Sequence, residues 1–120
     1  MTRRRFIIEM GMGNDLHGMD YQKAAGRAIE SAMRRSTLPV FETTGLRHED
    51  MTVRVTIGVQ SPDRLDTQAL AMLLPRGQAS VHAVKGGQNI KNEETGETIV
   101  VATAAIEAFL EDQSGRWRAA

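Results

Sequence analysis

The apolar positions of the chain change period several times, and each change marks an element. In "RRFIIEM", residues 4–10, Phe6, Ile8 and Met10 fall on one side of an extended chain and Ile7 on the other. That pattern predicts a mostly apolar strand in a central position, covered on both faces. A glycine-rich stretch, "GMGNDLHG" at 11–18, follows and reads as a loop. Asp20 then stands where an N-cap should, its carboxylate able to accept backbone N–H groups of the next turn. Behind it Tyr21, Ala24, Ala25, Ala28, Ile29, Ala32 and Met33 recur at helical spacing, with Gln22, Lys23, Arg27, Glu30, Arg34 and Arg35 on the other side. This is the clearest helix of the sequence, and its alanines allow a close approach to a sheet. Arg34 and Arg35 are expected in its last turn, where positive charge suits the helix dipole.

Pro39 stops that pattern, and 36–50 reads as a polar connection interrupted by Val40 and Phe41, with a turn signal at Gly45. "MTVRVTIGVQ", 51–60, alternates: Val53, Val55, Ile57 and Val59 point one way, Arg54, Thr56 and Gly58 the other. It predicts a strand with one buried and one polar face. "SPD" at 61–63 breaks it, Asp66 can cap a second helix in "TQALAMLL", and Pro75 and Gly77 end that helix. "QASVHAV", 78–84, predicts a third strand. After Gly86 and Gly87, "NIKNEETGET" reads as a long hairpin connection with its turn near Gly96. "TIVVATAAIEAFL" opens β-branched and ends alanine-rich, so a strand is expected from 98 to about 106, with helix an alternative at its C-terminal end.

The order is therefore β-α-β-α-β-β over residues 1–112, with a polar tail at 113–120 that holds Trp117. The simplest packing is an α+β two-layer sandwich, a four-stranded mixed sheet with two helices on one face. The other sheet face then needs cover, and a homo-oligomer, first of all a trimer, is the expected source.

Composition narrows the function classes. The chain has 120 residues, 41% hydrophobic and 25% charged, enough for a single core. Its 15 basic and 15 acidic residues cancel, so neither nucleic acid nor a membrane surface is an expected partner. Arg3, Arg4 and Arg5 read as a solvated strand end. The absence of cysteine excludes disulfides, thiolate metal sites and cysteine nucleophiles, and suits a reducing cytoplasm. "FIIEM" is too short for a signal peptide and carries Glu9, and no run reaches the roughly 18 apolar residues of a membrane span. A cytoplasmic protein with no cofactor is expected.

The candidate chemistry gathers in two segments. Gly11, Gly13 and Gly18 can bring backbone N–H groups to a ligand beside a helix N-terminus, an arrangement suited to anions. A dinucleotide fingerprint is excluded, because a third glycine is needed where Leu16 stands, and no Gly-Lys-Ser/Thr follows for a phosphate loop. Asp15 and His17, two residues apart, can share a side, with the carboxylate orienting the imidazole as a general acid/base. Two alternatives stay open: a metal site, which lacks a third ligand at useful spacing, and a structural Asx-turn with a packed histidine. In the second segment, "SVHAVKGG", Ser80 and His82 share a face, and Lys85 precedes Gly86 and Gly87. Serine with a lysine base is one nucleophile arrangement, although a strand serine and a terminal lysine are commonly only solvated. Arg54 can hold an anion or an ion pair, and Tyr21 can reach the same pocket or join the core.

The motif G-x-G-x-D-x-H-G, here Gly11, Gly13, Asp15, His17 and Gly18, resembles the signature of a small family of conserved hypothetical proteins of bacteria and plants. "DYQKAAGRAIESAMRRSTLP", "VRVTIGV" and "VHAVKGG" continue the resemblance in order over nearly the whole chain. The resemblance implies no specific activity. At fold level the element order is similar to the chorismate-mutase-like trimers and to one repeat of the amidohydrolases that open cyanuric acid and barbiturate rings. The latter likeness implies a Ser–Lys pair, for which Ser80 and Lys85 are the candidates. The expectation is a small-molecule site at an oligomer interface, taking an anionic or cyclic-amide ligand. Acid/base catalysis by His17 with Asp15 and a non-catalytic, regulatory binding module both remain open.

Overall fold

The computed structural model describes residues 3–34, 52–74 and 78–111. In chain order the elements are β1 (Arg3–Asp15), α1 (Tyr21–Met33), β2 (Thr52–Val59), a 3-10 turn (Pro62–Arg64), α2 (Thr67–Ala71), β3 (Gln78–Lys85), β4 (Gln88–Lys91) and β5 (Thr98–Glu111). The expected features at Arg35, Pro39, Val40, Phe41, Gly45, Pro75, Gly77 and Trp117 lie outside the described residues.

The architecture is α+β, a mixed sheet with two helices on one face. Among the described residues the sheet has five strands in the order β1-β5-β2-β3, with β4 also paired to β5. Among the described strands only β2 and β3 run parallel; β5 is antiparallel to β1, β2 and β4. The fifth strand, β4, falls inside the stretch expected to be a connection. It is short and exposed throughout, so it carries none of the alternation that marks a half-buried strand.

The core lies between the helices and one sheet face. Val53, Val55, Ile57 and Val59 of β2 meet Val100, Ala102, Ala104 and Ile106 of β5 beneath Ala24, Ala28, Ile29 and Ala32 of α1. Full burial of Ile29, Ile57 or Leu70 each stabilises the fold by about 1.5–3 kcal/mol. Asp20 caps α1 through Lys23 N–H, and Asp66 caps α2 through Ala69 N–H. Gln22 ties the two caps together, donating to the Asp66 carbonyl and accepting from the Asp66 N–H. The helix α1 ends at Met33 with Arg34 as its C-cap, so Arg34 closes the last turn from just outside it.

Two expectations about β1 are corrected. The strand continues through the glycines to Asp15, and among the described strands it lies at the sheet edge, not the centre. The central strands are β5 and β2. Ile8 and Met10, expected under cover, are 42% and 61% exposed on the face away from the helices. The C-terminal end of β5 is strand throughout, because Ala102, Ala104 and Ala108 join the core as small residues at strand period rather than forming a helix of their own.

Candidate functional site

Gly11 and Gly13 are strand residues beneath α1, not loop donors. A Cβ at Gly11 would stand 2.5 Å from the Ala28 carbonyl oxygen, and one at Gly13 would overlap the backbone of Ala24 and Ala28. Their missing side chains let Ala24, Ala28 and Ala32 seat the helix backbone on the strand. The turn begins only after Asp15, and it passes through Gly18 and Met19, both at positive φ.

Asp15 and His17 do not face each other. Asp15 is buried, its Oδ2 accepting the Asp20 N–H at 3.0 Å while Oδ1 lies 3.9 Å from an Arg27 guanidinium nitrogen. Arg27 also donates to the Asn14 carbonyl at 2.6 Å. The carboxylate therefore braces the β1–α1 turn. His17 points outward, 76% exposed, and its Nδ1 lies 2.7 Å from Oε2 of Glu97 in the β4–β5 hairpin. The carboxylate beside the imidazole is thus that of Glu97 and not that of Asp15. No group of three or more metal-ligating side chains occurs among the described residues.

The second segment divides between the two faces of the sheet. Ser80 and His82 are exposed on the helix-free face, in register with Arg54 and Thr56 of β2. Lys85 lies five residues beyond Ser80 on the opposite side of the pleat, about 17 Å along the strand. Within one chain Ser80 and Lys85 therefore do not form a pair. Gly86 and Gly87 carry the chain sideways past the end of β2 into β4. The Gly86 N–H donates to the Val59 carbonyl at 2.9 Å, Gln60 Nε2 donates to the Gly86 carbonyl at 2.9 Å, and Gly87 has φ +61°. A Cβ at Gly87 would overlap the Val101 carbonyl oxygen, so these glycines build a strand crossing.

The helix-free face gathers polar groups that the motifs did not single out. Glu107 of β5 accepts from Arg5 at 3.2 Å and from Arg54 Nε at 3.2 Å, and the Arg54 guanidinium also stands 5.1 Å over the Phe109 ring. Arg5 beside it, helped by Arg54, holds the Glu107 carboxyl below the usual carboxylate range. Two guanidiniums around one carboxylate leave net positive charge. Register places Ser80, Arg54, Glu107 and Ile8 in one row across the strands, and His82, Thr56, Ala105 and Met10 in the next. The alternation of β2 was the signal that located Arg54 and Thr56. Glu107, inside an alanine-rich run, had none.

At the other end of the sheet, Tyr21 is buried with its hydroxyl accepting from Asn89 Nδ2 at 2.7 Å. Arg64 stands 5.1 Å over its ring. The Asn89 bond, with a further one from Ser61 and the Arg64 charge, pulls the phenol below its ordinary value.

A family model described as a conserved hypothetical protein, Lin0512_fam, matches residues 5–108. The chain belongs to this family. The resemblance expected from the sequence thus holds for the Lin0512 family at the level of a conserved hypothetical protein. A crystal structure from Nostoc punctiforme, described as an FtsZ-like protein of unknown function, is similar to this member at 32% identity and a TM-score of 0.81. The match covers 93% of this chain and 99% of the other, so the likeness extends over nearly the whole chain of this Lin0512 family member. No curated protein matches the chain. No helix among the described residues is long and apolar enough to cross a membrane.

Proposed function

We propose that this chain works as a homo-oligomer that binds a small anionic molecule on the helix-free face of its sheet. The observation that carries this reading is the paired rows of polar side chains on that face, Ser80–Arg54–Glu107 and His82–Thr56, on adjacent strands and free of cover by any described element. Arg54 and Arg5 are each about half exposed and share one carboxylate. They can present N–H donors to a carboxylate, a phosphate or the planar acceptors of a cyclic imide. His82 adds an exposed imidazole whose ring nitrogens can donate or accept a hydrogen bond. A reducing cytoplasm suits a chain without cysteine.

The test is chemical-shift perturbation with inorganic phosphate, succinate and barbiturate as probes. Shifts confined to Ser80, His82, Arg54 and Thr56, and lost in Arg54→Ala, support the site. No perturbation at millimolar probe, or shifts only at the β1–α1 turn, would sink it.

A second reading, acid/base catalysis, rests on the 2.7 Å contact of His17 with Glu97. A carboxylate accepting from Nδ1 leaves Nε2 as the base, facing solvent. In that reading Gly18 shapes the turn that presents His17, and Asp15 holds the turn without touching the imidazole. If turnover of a cyclic amide were found, His17→Gln and Glu97→Gln should both reduce it, and neither should change stability.

A further inference from the structure

The strand β1 is an edge with an unusual composition. Of its 13 residues all but Phe6 pair with β5 on one side, and no described strand pairs on the other. Long exposed edges are normally blunted by lysine, proline, bulges or inward charge. Here the one register irregularity falls at the beginning, between Arg5 and Ile7, residues 7–15 contain no Lys, Arg or Pro, and Glu9 is the single inward charge before Asp15 ends the strand. Ile8, Met10 and Met12 stand on the helix-free face at strand period, 42%, 61% and 65% exposed.

We propose that two copies of this chain pair edge to edge through β1, antiparallel, about a twofold axis at Met10. The spacing of the apolar groups selects both partner and register. Ile8 and Met12 are symmetric about Met10, so an identical antiparallel strand sets Met10 against Met10 and Ile8 against Met12. Every exposed apolar side chain of the row then meets another apolar one, as cross-strand pairing favours. On the helix face the same register sets Glu9 against Gly11, a position with no side chain, and keeps the two Glu9 carboxylates apart.

Charge fits the same arrangement. The N-terminal end of β1 is Arg3-Arg4-Arg5, while beyond its other end lies the hairpin with Glu93, Glu94 and Glu97, the last bonded to His17. Antiparallel pairing brings each basic end toward the partner's acidic hairpin. A twofold contact of this kind uses the same patch on both copies and closes on itself, so it yields a dimer and not a fibre. It joins two helix-free faces into one continuous surface with the apolar row at its centre.

This inference rests on the oligomer in the function proposed above and not on its ligand. The chain has no cysteine, so single cysteines can be introduced cleanly. The register predicts that Met10→Cys is cross-linked to a dimer by a short thiol reagent. Ile8→Cys and Met12→Cys should each stay uncross-linked alone and join when mixed. Met10→Lys, a substitution at an exposed position, should keep the circular dichroism of the wild type and raise the dimer dissociation constant at least tenfold by setting like charges face to face. A monomeric wild type, an oligomer untouched by Met10→Lys, or cross-linking of Met10→Cys to Val84→Cys on the β3 edge would overturn it. Loss of probe binding with cross-linking intact would overturn the ligand alone.

Discussion

Gly13 lies directly against the backbone of Ala28, and a Cβ added there would also stand 2.7 Å from the carbonyl carbon of Arg27. Backbone cannot swing aside as a flexible side chain does, so the helix itself would have to lift from the sheet. Gly13→Ala should therefore cost about 3 kcal/mol or more in chemical denaturation. Gly18→Ala is the control. Its φ of +84° is unfavourable for an L side chain, but nothing lies within 4 Å, so about 1–2 kcal/mol is expected. Equal losses at both positions would contradict the close-packing role.

That relationship explains what could and could not be read from the sequence. The helix α1 and strand β2 declare themselves by period, because each has one face in the core. The glycines of β1 read as a loop because Gly is depleted in strands, yet Gly11 and Gly13 keep the period of two. They match Ala24, Ala28 and Ala32 at a period of four, and taken together the two small-residue stripes were legible as a helix lying on a strand. The edge position of β1 was not legible, since it depends on pairing with β5 some ninety residues later. His17 met its partner in the same way. Glu97 is 80 residues away in a polar hairpin, and proximity in sequence favoured Asp15 instead.

Asp15 and His17 should behave as unrelated residues. Asp15→Ala leaves the Asp20 N–H and the Arg27 charge without their buried partner, a loss of about 1–3 kcal/mol. His17→Ala removes an exposed pair and should cost less than about 1 kcal/mol. In a double-mutant cycle of thermal or denaturant unfolding the two effects should add within about 0.5 kcal/mol. A larger coupling energy would restore the Asp–His dyad.

Glu107 gives the fold an acid-sensitive contact. Its folded pKa lies below the unfolded value of about 4.3, held there first by Arg5 and then by Arg54. The contribution is complete above the unfolded value and is lost as pH falls through the folded one. Glu107→Gln should thus be destabilised by about 1 kcal/mol at neutral pH, the arginines being half exposed. The gap from wild type should close under acid and narrow in high salt. A gap independent of pH would mean that the contact acts by packing.

Tyr21 is the chain's one tyrosine, so its ionisation can be followed by ultraviolet absorbance without assignment. The hydrogen bond from Asn89 favours the phenolate, with Ser61 and Arg64 adding to it, so the titration midpoint should fall below that of free tyrosine. Asn89→Ala removes the leading cause and should move the midpoint upward. Because the folded value is the lower one, the shift contributes nothing at neutral pH. It adds stability as pH rises from the folded value toward the unfolded value of about 10. In that window the wild type should gain on Asn89→Ala in denaturant unfolding. A midpoint in Asn89→Ala equal to that of the wild type would show that Asn89 does not reach the hydroxyl in solution, and that β4 is not held against the N-terminal turn of α1.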